Sequence, residues 1–191
     1  IVLTTGGEWR ITGSAEGNAI TPDSMYISNQ GYRGSHPIEP VISGASILFV
    51  QKFGKRVRDL AYSFESDGYD SVDLSIFATH LFDDYTIVDW CYQQEPWSVL
   101  WVVRSDGKLL GLTYMKEQEV WAWHMHDVGG VVESISSAPG LTEDEVYMIV
   151  RRNINGSDVR YVEKLSSKPE TMHLDCAIVA HDGDPTTIIS G

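Results

Sequence analysis

Four segments of this 191-residue chain share one pattern, in which a β-prone run leads through a glycine turn into a second β-prone run. Each incoming run is rich in valine, isoleucine, leucine and aromatic residues, which suit a pleated, half-buried surface. The turn glycines are spaced by 47, 53 and 49 residues. The segments are Ile1–Thr12, Ser46–Phe64, Ser98–Tyr114 and Glu145–Leu165, with turns at Gly7, Gly54, Gly107 and Gly156. A hairpin that recurs at this period indicates a repeat architecture.

Shorter β-prone runs lie between these hairpins. Ile87–Gln93 precedes the third hairpin, Glu119–His126 follows it, and Val131–Ser137 leads to the fourth. From Ile87 to His126 we therefore predict four strands in about 40 residues, an antiparallel meander with the size of one propeller blade. The predicted fold is all-β, with meander hairpins that form a β-propeller or part of one. A β-sandwich built from the same hairpins is the alternative.

Two dipeptides strengthen the hairpin prediction. Asp106-Gly107 and Asn155-Gly156 combine residue types that tolerate positive φ, as tight hairpin turns require. We expect at least ~35% strand and under ~15% helix, against about 20–25% strand in a typical globular protein.

One segment departs from the β pattern and predicts a short helix, Asp73–Phe82. Its apolar residues recur at helical spacing, which places them on one face. Asp73 can cap the first turn by accepting a backbone N–H. We expect this helix to pack on a sheet edge and to shield that edge from other chains. The apolar face consists of Leu74, Phe77, Ala78 and Leu81.

The chain carries 27 acidic and 14 basic side chains, a net charge of −13. This charge repels nucleic-acid phosphates, so tight nucleic-acid binding is not expected. The longest apolar stretches, such as Ser98–Val103, are too short to span a bilayer, and no membrane association is expected. Cys91 and Cys176 are too few for a disulfide framework, so we expect two thiols in apolar surroundings.

No local sequence motif for catalysis is present. The chain lacks a GxSxG nucleophile elbow, a GxxxxGK(S/T) phosphate loop and a GxGxxG dinucleotide motif. We therefore predict a protein that is not an enzyme, with no catalytic residues, no cofactor-binding residues and no metal ligands.

His124 and His126 are the closest approach to a metal site. On a strand, residues i and i+2 point to the same face, so the two imidazoles could share a metal, with Asp127 adjacent. Local spacing fixes no third ligand, because the motif HxHxDH is absent. The favoured interpretation is two polar-face histidines on a strand that also carries Trp121 and Trp123.

Acids and aromatic residues are the remaining candidates. The loop acids are expected to be solvated. Asp67, Asp70 and Asp73 do not follow the EF-hand ligand spacing, and Ser105-Asp106-Gly107 does not follow the Asp-box pattern of sialidases. Asn155-Gly156-Ser157 spells a glycosylation sequon, which a hairpin turn explains without secretion. The tryptophans are expected to fill the core between blades, ahead of forming a partner surface or a glycan platform. The acids are Asp67, Asp70, Asp73, Asp83 and Asp84, and the tryptophans are Trp9, Trp90, Trp97, Trp101, Trp121 and Trp123.

Several unusual strings connect the chain to a known family. They include LTTGGEWRITG, GASILFVQKFGKRVRDLAYSF, IVDWCYQQEPWSVLWVVRSDGKLLGLTY and VYMIVRRNINGSDVRYVEKL. Over residues 1–165 the chain resembles phage and prophage tail tubular, or nozzle, proteins of short-tailed phages, also labelled phage stabilisation proteins. The resemblance implies a β-propeller-containing structural subunit of the tail tube, below the portal and adaptor, without catalytic residues.

The resemblance also implies partners, location and chain organisation. The partners would be copies of the chain in a tail ring and neighbouring tail or adaptor proteins, with DNA only as passing cargo. The location would be the virion, assembled in the bacterial cytoplasm. Because full-length relatives are longer on both sides, we expect a fragment. Residues 1–165 would form a propeller-like region of about four hairpin repeats, and residues 166–191 would lead into a domain absent from the fragment.

Two other functions stay open from the sequence. A receptor- or glycan-binding tail domain would use the aromatic residues as a recognition surface. A propeller hydrolase that cleaves surface polysaccharide would use paired carboxylates.

Overall fold

The structure, a computed structural model, describes residues 1–13 and 19–166. Strands account for 59% and helices for 6%, which confirms the all-β prediction and both expected limits. Within the described residues, no helix is long and apolar enough to cross a bilayer. The strands are β1 (Val2–Thr4), β2 (Gly7–Gly13), β3 (Met25–Gly31), β4 (Val41–Ser43), β5 (Ser46–Val50), β6 (Val57–Ser63), β7 (Gly68–Asp73), β8 (Ile87–Gln93), β9 (Val99–Arg104), β10 (Leu109–Met115), β11 (Val120–His126), β12 (Val131–Pro139), β13 (Asp144–Ile154) and β14 (Ser157–Lys164).

The strands form four antiparallel sheets in chain order, each a meander of consecutive strands. Sheet 1 contains β1–β3, sheet 2 contains β4–β7, sheet 3 contains β8–β11 and sheet 4 contains β12–β14. The four predicted hairpins are present as β1–β2, β5–β6, β9–β10 and β13–β14. The meander predicted from Ile87 to His126 is sheet 3. The finer prediction, a propeller, stays a prediction.

Sheet 3 is buried on both faces because its central strands are apolar on both parities. All six residues of β9 are buried. Leu100 and Val102 pack into a core shared with sheet 2, whereas Trp101 and Val103 pack into a core shared with sheet 4. Sheets 2, 3 and 4 are therefore stacked in series.

The glycine turns explain why the hairpins close where the sequence predicts. Gly54, Gly107 and Gly156 have φ values of +74°, +80° and +83°, a region that glycine enters without steric cost. In the first hairpin the turn residues are Thr5 and Gly6, because Gly7 already pairs with Thr4. The predicted turn at Gly7 is thus displaced by one residue.

One backbone hydrogen bond recurs between successive sheets. The chain that enters sheets 2, 3 and 4 donates an N–H to the hairpin end of the preceding sheet, so each sheet is fixed to the one before it in the same way. The three bonds run from Ser35 N to Thr4 O (2.8 Å), from Ile87 N to Gly54 O (2.8 Å) and from Val132 N to Gly107 O (2.9 Å).

The segment Asp73–Phe82 is less regular than the predicted helix. Within this segment, helical structure is limited to a 3-10 helix, Ile76–Leu81, with a kink at Ala78; a second short 3-10 helix, Lys116–Gln118, follows β10. Asp73 ends β7, and its Oδ1 accepts the Ser75 N–H at 2.8 Å. Asp73 accepts a backbone N–H, but it does not cap the helix as predicted, because the N-cap is Ser75 and no side chain caps it; the ten-residue helix is also wrong.

The predicted apolar face of this segment is correct in part. Leu74 and Ala78 are buried and Leu81 packs against the core between sheets 2 and 3. Phe77 is 89% exposed. The kink at Ala78 breaks the regular spacing on which the prediction of a single face depended.

Three strands were not predicted, namely β3, β4 and β7. β3 and β7 contain Asn, Gln, Asp and Gly, which are depleted in strands, and β4 has three residues. Pairing with neighbouring strands determines these elements. The predicted C-terminal segment, 166–191, lies outside the described residues except for Ser166.

Candidate functional site

Four polar side chains join sheet 2 to sheet 3. Lys116 Nζ donates to Asp59 Oδ2 at 2.7 Å and to Ser46 Oγ at 2.6 Å. The Tyr114 hydroxyl donates to the same Asp59 oxygen at 2.8 Å. Ser46 and Asp59 belong to sheet 2, whereas Tyr114 lies on β10 of sheet 3 and Lys116 follows it. We call these four residues the sheet 2–3 clamp.

Because the clamp is largely buried, its polar groups must find hydrogen-bond partners within it. The Asp59 side chain is 6% exposed, Ser46 is fully buried and the Lys116 side chain is 44% exposed. An unpaired carboxylate in such surroundings would cost several kcal/mol. Burial also raises the pKa of Tyr114, and the hydrogen bond to Asp59 raises it further. The Tyr114 hydroxyl is therefore kept protonated and able to donate.

A serine, a lysine and a tyrosine within hydrogen-bond distance are a combination that some nucleophilic enzymes use. The clamp does not fit that chemistry, because Ser46 is 0% exposed and its Oγ cannot meet a substrate. The Lys116 ammonium donates to both neighbours and has no lone pair to accept the Ser46 proton. The arrangement is suited to holding two sheets together.

Arg104 ties the β9–β10 turn to the segment before β8. Its Nη1 donates to Leu81 O at 2.7 Å and its Nε donates to Asp106 Oδ1 at 3.0 Å. The guanidinium also lies 4.0 Å from the centre of the Tyr85 ring. The Arg104 hydrogen bonds hold the pKa of the Asp106 carboxyl below its usual value. This buried arginine is thus used for structure.

Glu8 makes a similar connection between sheets 1 and 2. Its side chain is almost fully buried, and Oε1 accepts the Gly34 N–H at 2.9 Å while Oε2 accepts the Arg33 N–H at 3.3 Å. A Cβ on Gly31 would lie 2.4 Å from Oε2, so a larger residue there would displace this carboxylate. Glu8 therefore fixes the chain as it passes from sheet 1 to sheet 2.

His124 and His126 lie on the same face of β11, as predicted. His124 Nδ1 and His126 Nε2 are 2.7 Å apart, and both rings contact Trp101. A Cβ on Gly111 would lie 2.1 Å from the His124 ring, so only glycine leaves room for the ring there. The two histidines and Trp101 form one aromatic cluster.

The other predicted members of this region do not join the histidines. Trp121 and Trp123 point to the opposite face and pack against the core between sheets 2 and 3. Asp127 accepts a hydrogen bond from Lys108 Nζ at 2.7 Å, which lowers the pKa of its carboxyl. Within residues 1–13 and 19–166, no group of three or more His, Cys, Asp or Glu side chains is placed to hold a metal ion.

Four of the five loop acids, Asp67, Asp70, Asp73 and Asp83, make separate local contacts. Asp67 and Asp70 each accept a hydrogen bond from a nearby hydroxyl group, at 2.7 and 2.8 Å. Asp73 bonds the backbone two residues further on, and Asp83 lies 3.7 Å from Arg56 Nη2. These acids lie on β7 and on the loops between β6 and β8, and each has its own partner.

Most of the tryptophans fill the interior, as predicted. Trp90 and Trp101 are buried, and Trp121 and Trp123 are half-buried against the same core as Trp90. Two tryptophans are exceptions: Trp97 is 46% exposed in the loop between β8 and β9, and Trp9 on β2 is half-buried and lies outside both core clusters. Interior tryptophans cannot serve as a glycan platform.

The structure bears on one of the two predicted thiols and on the sequon. Cys91 is buried, and burial raises the pKa of its thiol to about 12. Cys176 lies outside the described residues. Asn155 occupies the β13–β14 turn with φ of +51°, as the hairpin explanation of the sequon requires.

Sequence reasoning did not identify the sheet 2–3 clamp. Lys116 is 57 residues from Asp59 and 70 residues from Ser46, so no local sequence pattern could predict the contact. One signal was available, since Asp59 shares its parity with the buried Val57 on β6. A charged residue on an apolar strand face requires a buried partner.

No protein-family model matches this chain, and no curated protein sequence matches it.

Proposed function

We propose that this chain is a structural component of a phage or prophage tail, a tail-tube or nozzle subunit that acts through protein–protein contacts without catalysis. The observation that carries the proposal is the use of buried polar groups. Glu8, Arg104 and the sheet 2–3 clamp all bind backbone groups or neighbouring sheets. The resemblance over residues 1–165 supplies the tail context.

Within this proposal the four sheets are blades of a β-propeller or of part of one. The repeated hydrogen bond from the start of one sheet to the turn of the sheet before supports this arrangement. The stacking of sheet 3 between sheets 2 and 4 supports it as well, because propeller blades pack face to face around an axis.

The proposed partners are copies of the chain in a ring and the neighbouring tail or adaptor proteins, in a virion assembled in the bacterial cytoplasm. The net charge of −13 supports DNA as passing cargo, because a surface that repels phosphate lets a duplex slide. Stable DNA binding is not part of the proposal.

The direct test is to locate the subunit in intact particles. An epitope inserted at Gly156 has open space around it, and insertion at Gly44 offers a second site of the same kind at another hairpin. Antibody labelling and a particle map should place both epitopes in a ring in the tail, below the portal. Absence of the chain from purified particles would contradict the proposal.

A second measurement separates the proposal from its rivals. The purified chain is applied to a glycan array and incubated with bacterial polysaccharide in a reducing-sugar assay. We expect neither saturable glycan binding nor release of reducing ends. Binding would favour a receptor-recognising tail domain, and release would favour a hydrolase.

A further inference from the structure

Within the described part of the chain, strand β1 is paired along one edge only. It pairs with β2, and no strand among the described residues pairs along its other edge. The equivalent strands in the next two sheets are β5 and β9, since each also leads into the repeated hairpin. Both have a second partner, because β4 pairs with β5 and β8 pairs with β9. We call the first strand of each of sheets 2, 3 and 4, namely β4, β8 and β12, its leading strand. The described part of sheet 1 has no counterpart of this strand.

The leading strands of successive sheets lie side by side. Trp90 Nε1 on β8 donates to Glu39 O, just before β4, at 2.7 Å, and Ser137 Oγ on β12 donates to Tyr92 O on β8 at 2.8 Å. A leading strand of sheet 1 would by the same rule lie between β1 and the segment before β4.

A groove occupies this position. Its volume is about 480 Å³, and it is lined by Leu3, Thr4 and Thr5 on one side and by Ser35–Pro40 on the other. The buried Nδ1 of His36, in the second wall, has no hydrogen-bond partner. Ser35 at one end of this wall already donates its N–H to Thr4 O, but Pro37 and Pro40 carry no N–H, so the wall cannot continue this contact as a ladder along β1.

We propose that this groove binds an extended segment of another protein chain by strand addition. The segment pairs along the open edge of β1 through its backbone and places alternate apolar side chains against Leu3 and Ile38. The net charge of −13 favours a segment that is neutral or basic. This inference depends on strand order alone and holds whether or not the protein belongs to a tail.

The chain's own β8 segment specifies the probe. A synthetic peptide with the sequence of residues 86–94, Cys91→Ser and two added C-terminal lysines represents the strand that fills the equivalent place in sheet 3. Hydrogen exchange on the 191-residue chain should show at least tenfold slower exchange at the β1 amide that points away from β2 when the peptide is added. A scrambled peptide should have no effect.

Variants test whether the peptide occupies this groove. Leu3→Lys puts a charge in the apolar wall and should weaken peptide binding at least tenfold. Ile42→Lys is the matched control, because Ile42 is a 74% exposed aliphatic residue outside the lining. Its affinity should stay within twofold of the parent chain.

A peptide-side variant keeps the test valid if Leu3→Lys fails to fold. Alternate backbone amides of an extended peptide point to opposite edges. N-methylation of the amides on the edge that faces β1 should abolish binding, whereas N-methylation of the amides on the other edge should preserve it. Equal effects of the two methylations would overturn strand addition. Slow exchange, without peptide, at the β1 amide that points away from β2 would show that the chain covers its own groove, and would overturn binding by another chain.

Discussion

Single acidic side chains connect each pair of neighbouring sheets. Glu8 binds the backbone that leads into sheet 2, and Asp59 binds Tyr114 and Lys116 beside sheet 3. Asp89 on β8 accepts the Ile135 N–H of sheet 4 at 2.9 Å. Part of the chain's negative charge is therefore used internally, where a carboxylate accepts hydrogen bonds from a neighbouring sheet.

Replacing Asp59 should weaken the contact between sheets 2 and 3. Asp59→Asn leaves Lys116 without its carboxylate partner and weakens the bond from Tyr114, so we expect a loss of about 1–3 kcal/mol in the free energy of unfolding. Asp70→Asn removes an exposed carboxylate bonded to Ser66 and should change it by less than about 0.5 kcal/mol. Urea unfolding measures both, and equal losses would contradict the clamp.

Tyr114 should make stability fall at alkaline pH. Its pKa is raised in the folded protein by burial and by Asp59, so the unfolded chain loses this proton first. The corresponding stability is fully present below about pH 10 and declines as pH rises above that value. Tyr114→Phe should therefore lose less stability between about pH 9 and pH 11 than the parent chain.

The control for this pH dependence is Tyr32→Phe, at a tyrosine that is 83% exposed. Its urea midpoint should follow the parent chain at every pH. A Tyr114→Phe profile identical to the control would show that burial of this phenol does not contribute.

At the scale of elements, a hairpin turn can require glycine for two reasons, a positive φ and a lack of space for a Cβ. Gly107 and Gly156 allow the two reasons to be distinguished. Gly107 and Gly156 share nearly the same positive φ, but a Cβ would meet Val131 Cγ1 at 2.4 Å in the first case and nothing within 4 Å in the second. Gly156→Ala should cost about 1–2 kcal/mol from backbone strain alone. Gly107→Ala should cost about 1–3 kcal/mol more, because Val131 must shift.

This comparison also tests the bond between sheets. The carbonyl of Gly107 accepts the Val132 N–H, so displacement of Val131 should speed hydrogen exchange at Val132 in Gly107→Ala and leave it unchanged in Gly156→Ala. Equal unfolding free energies for the two variants would contradict the close approach.

The elements that the sequence predicts are those with a strong local signal. Glycine turns and apolar runs predicted the four hairpins and β8, because a positive φ and the burial of a strand depend on the identity of a few neighbouring residues. β3 and β7 form because neighbours pair with them, which no local pattern encodes. The sheet 2–3 clamp was missed for the same reason, because Ser46 and Lys116 meet only after two sheets stack.

At the scale of the whole molecule, coverage of the sheets is unequal. Sheet 3 is covered on both faces, whereas no sheet of the described chain packs on the outer face of sheet 4. That face presents Tyr147 and Ile149 at 37% exposure and Val162 at 76%. Among the described strands, β14 at its edge pairs with β13 only. Exposed apolar side chains beside an open edge favour contact with another copy.

Net charge opposes this contact, so self-association should depend on salt. At −13, copies repel each other, and screening over about 10 Å at 0.1 M ionic strength weakens that repulsion. Light scattering from about 0.05 M to about 1 M salt should show the mass of the 191-residue chain rising to small oligomers. Val162→Glu should suppress the rise, whereas Val72→Glu, at a 53% exposed valine on sheet 2, should not. A strict monomer at high concentration and high salt would contradict self-association through this face.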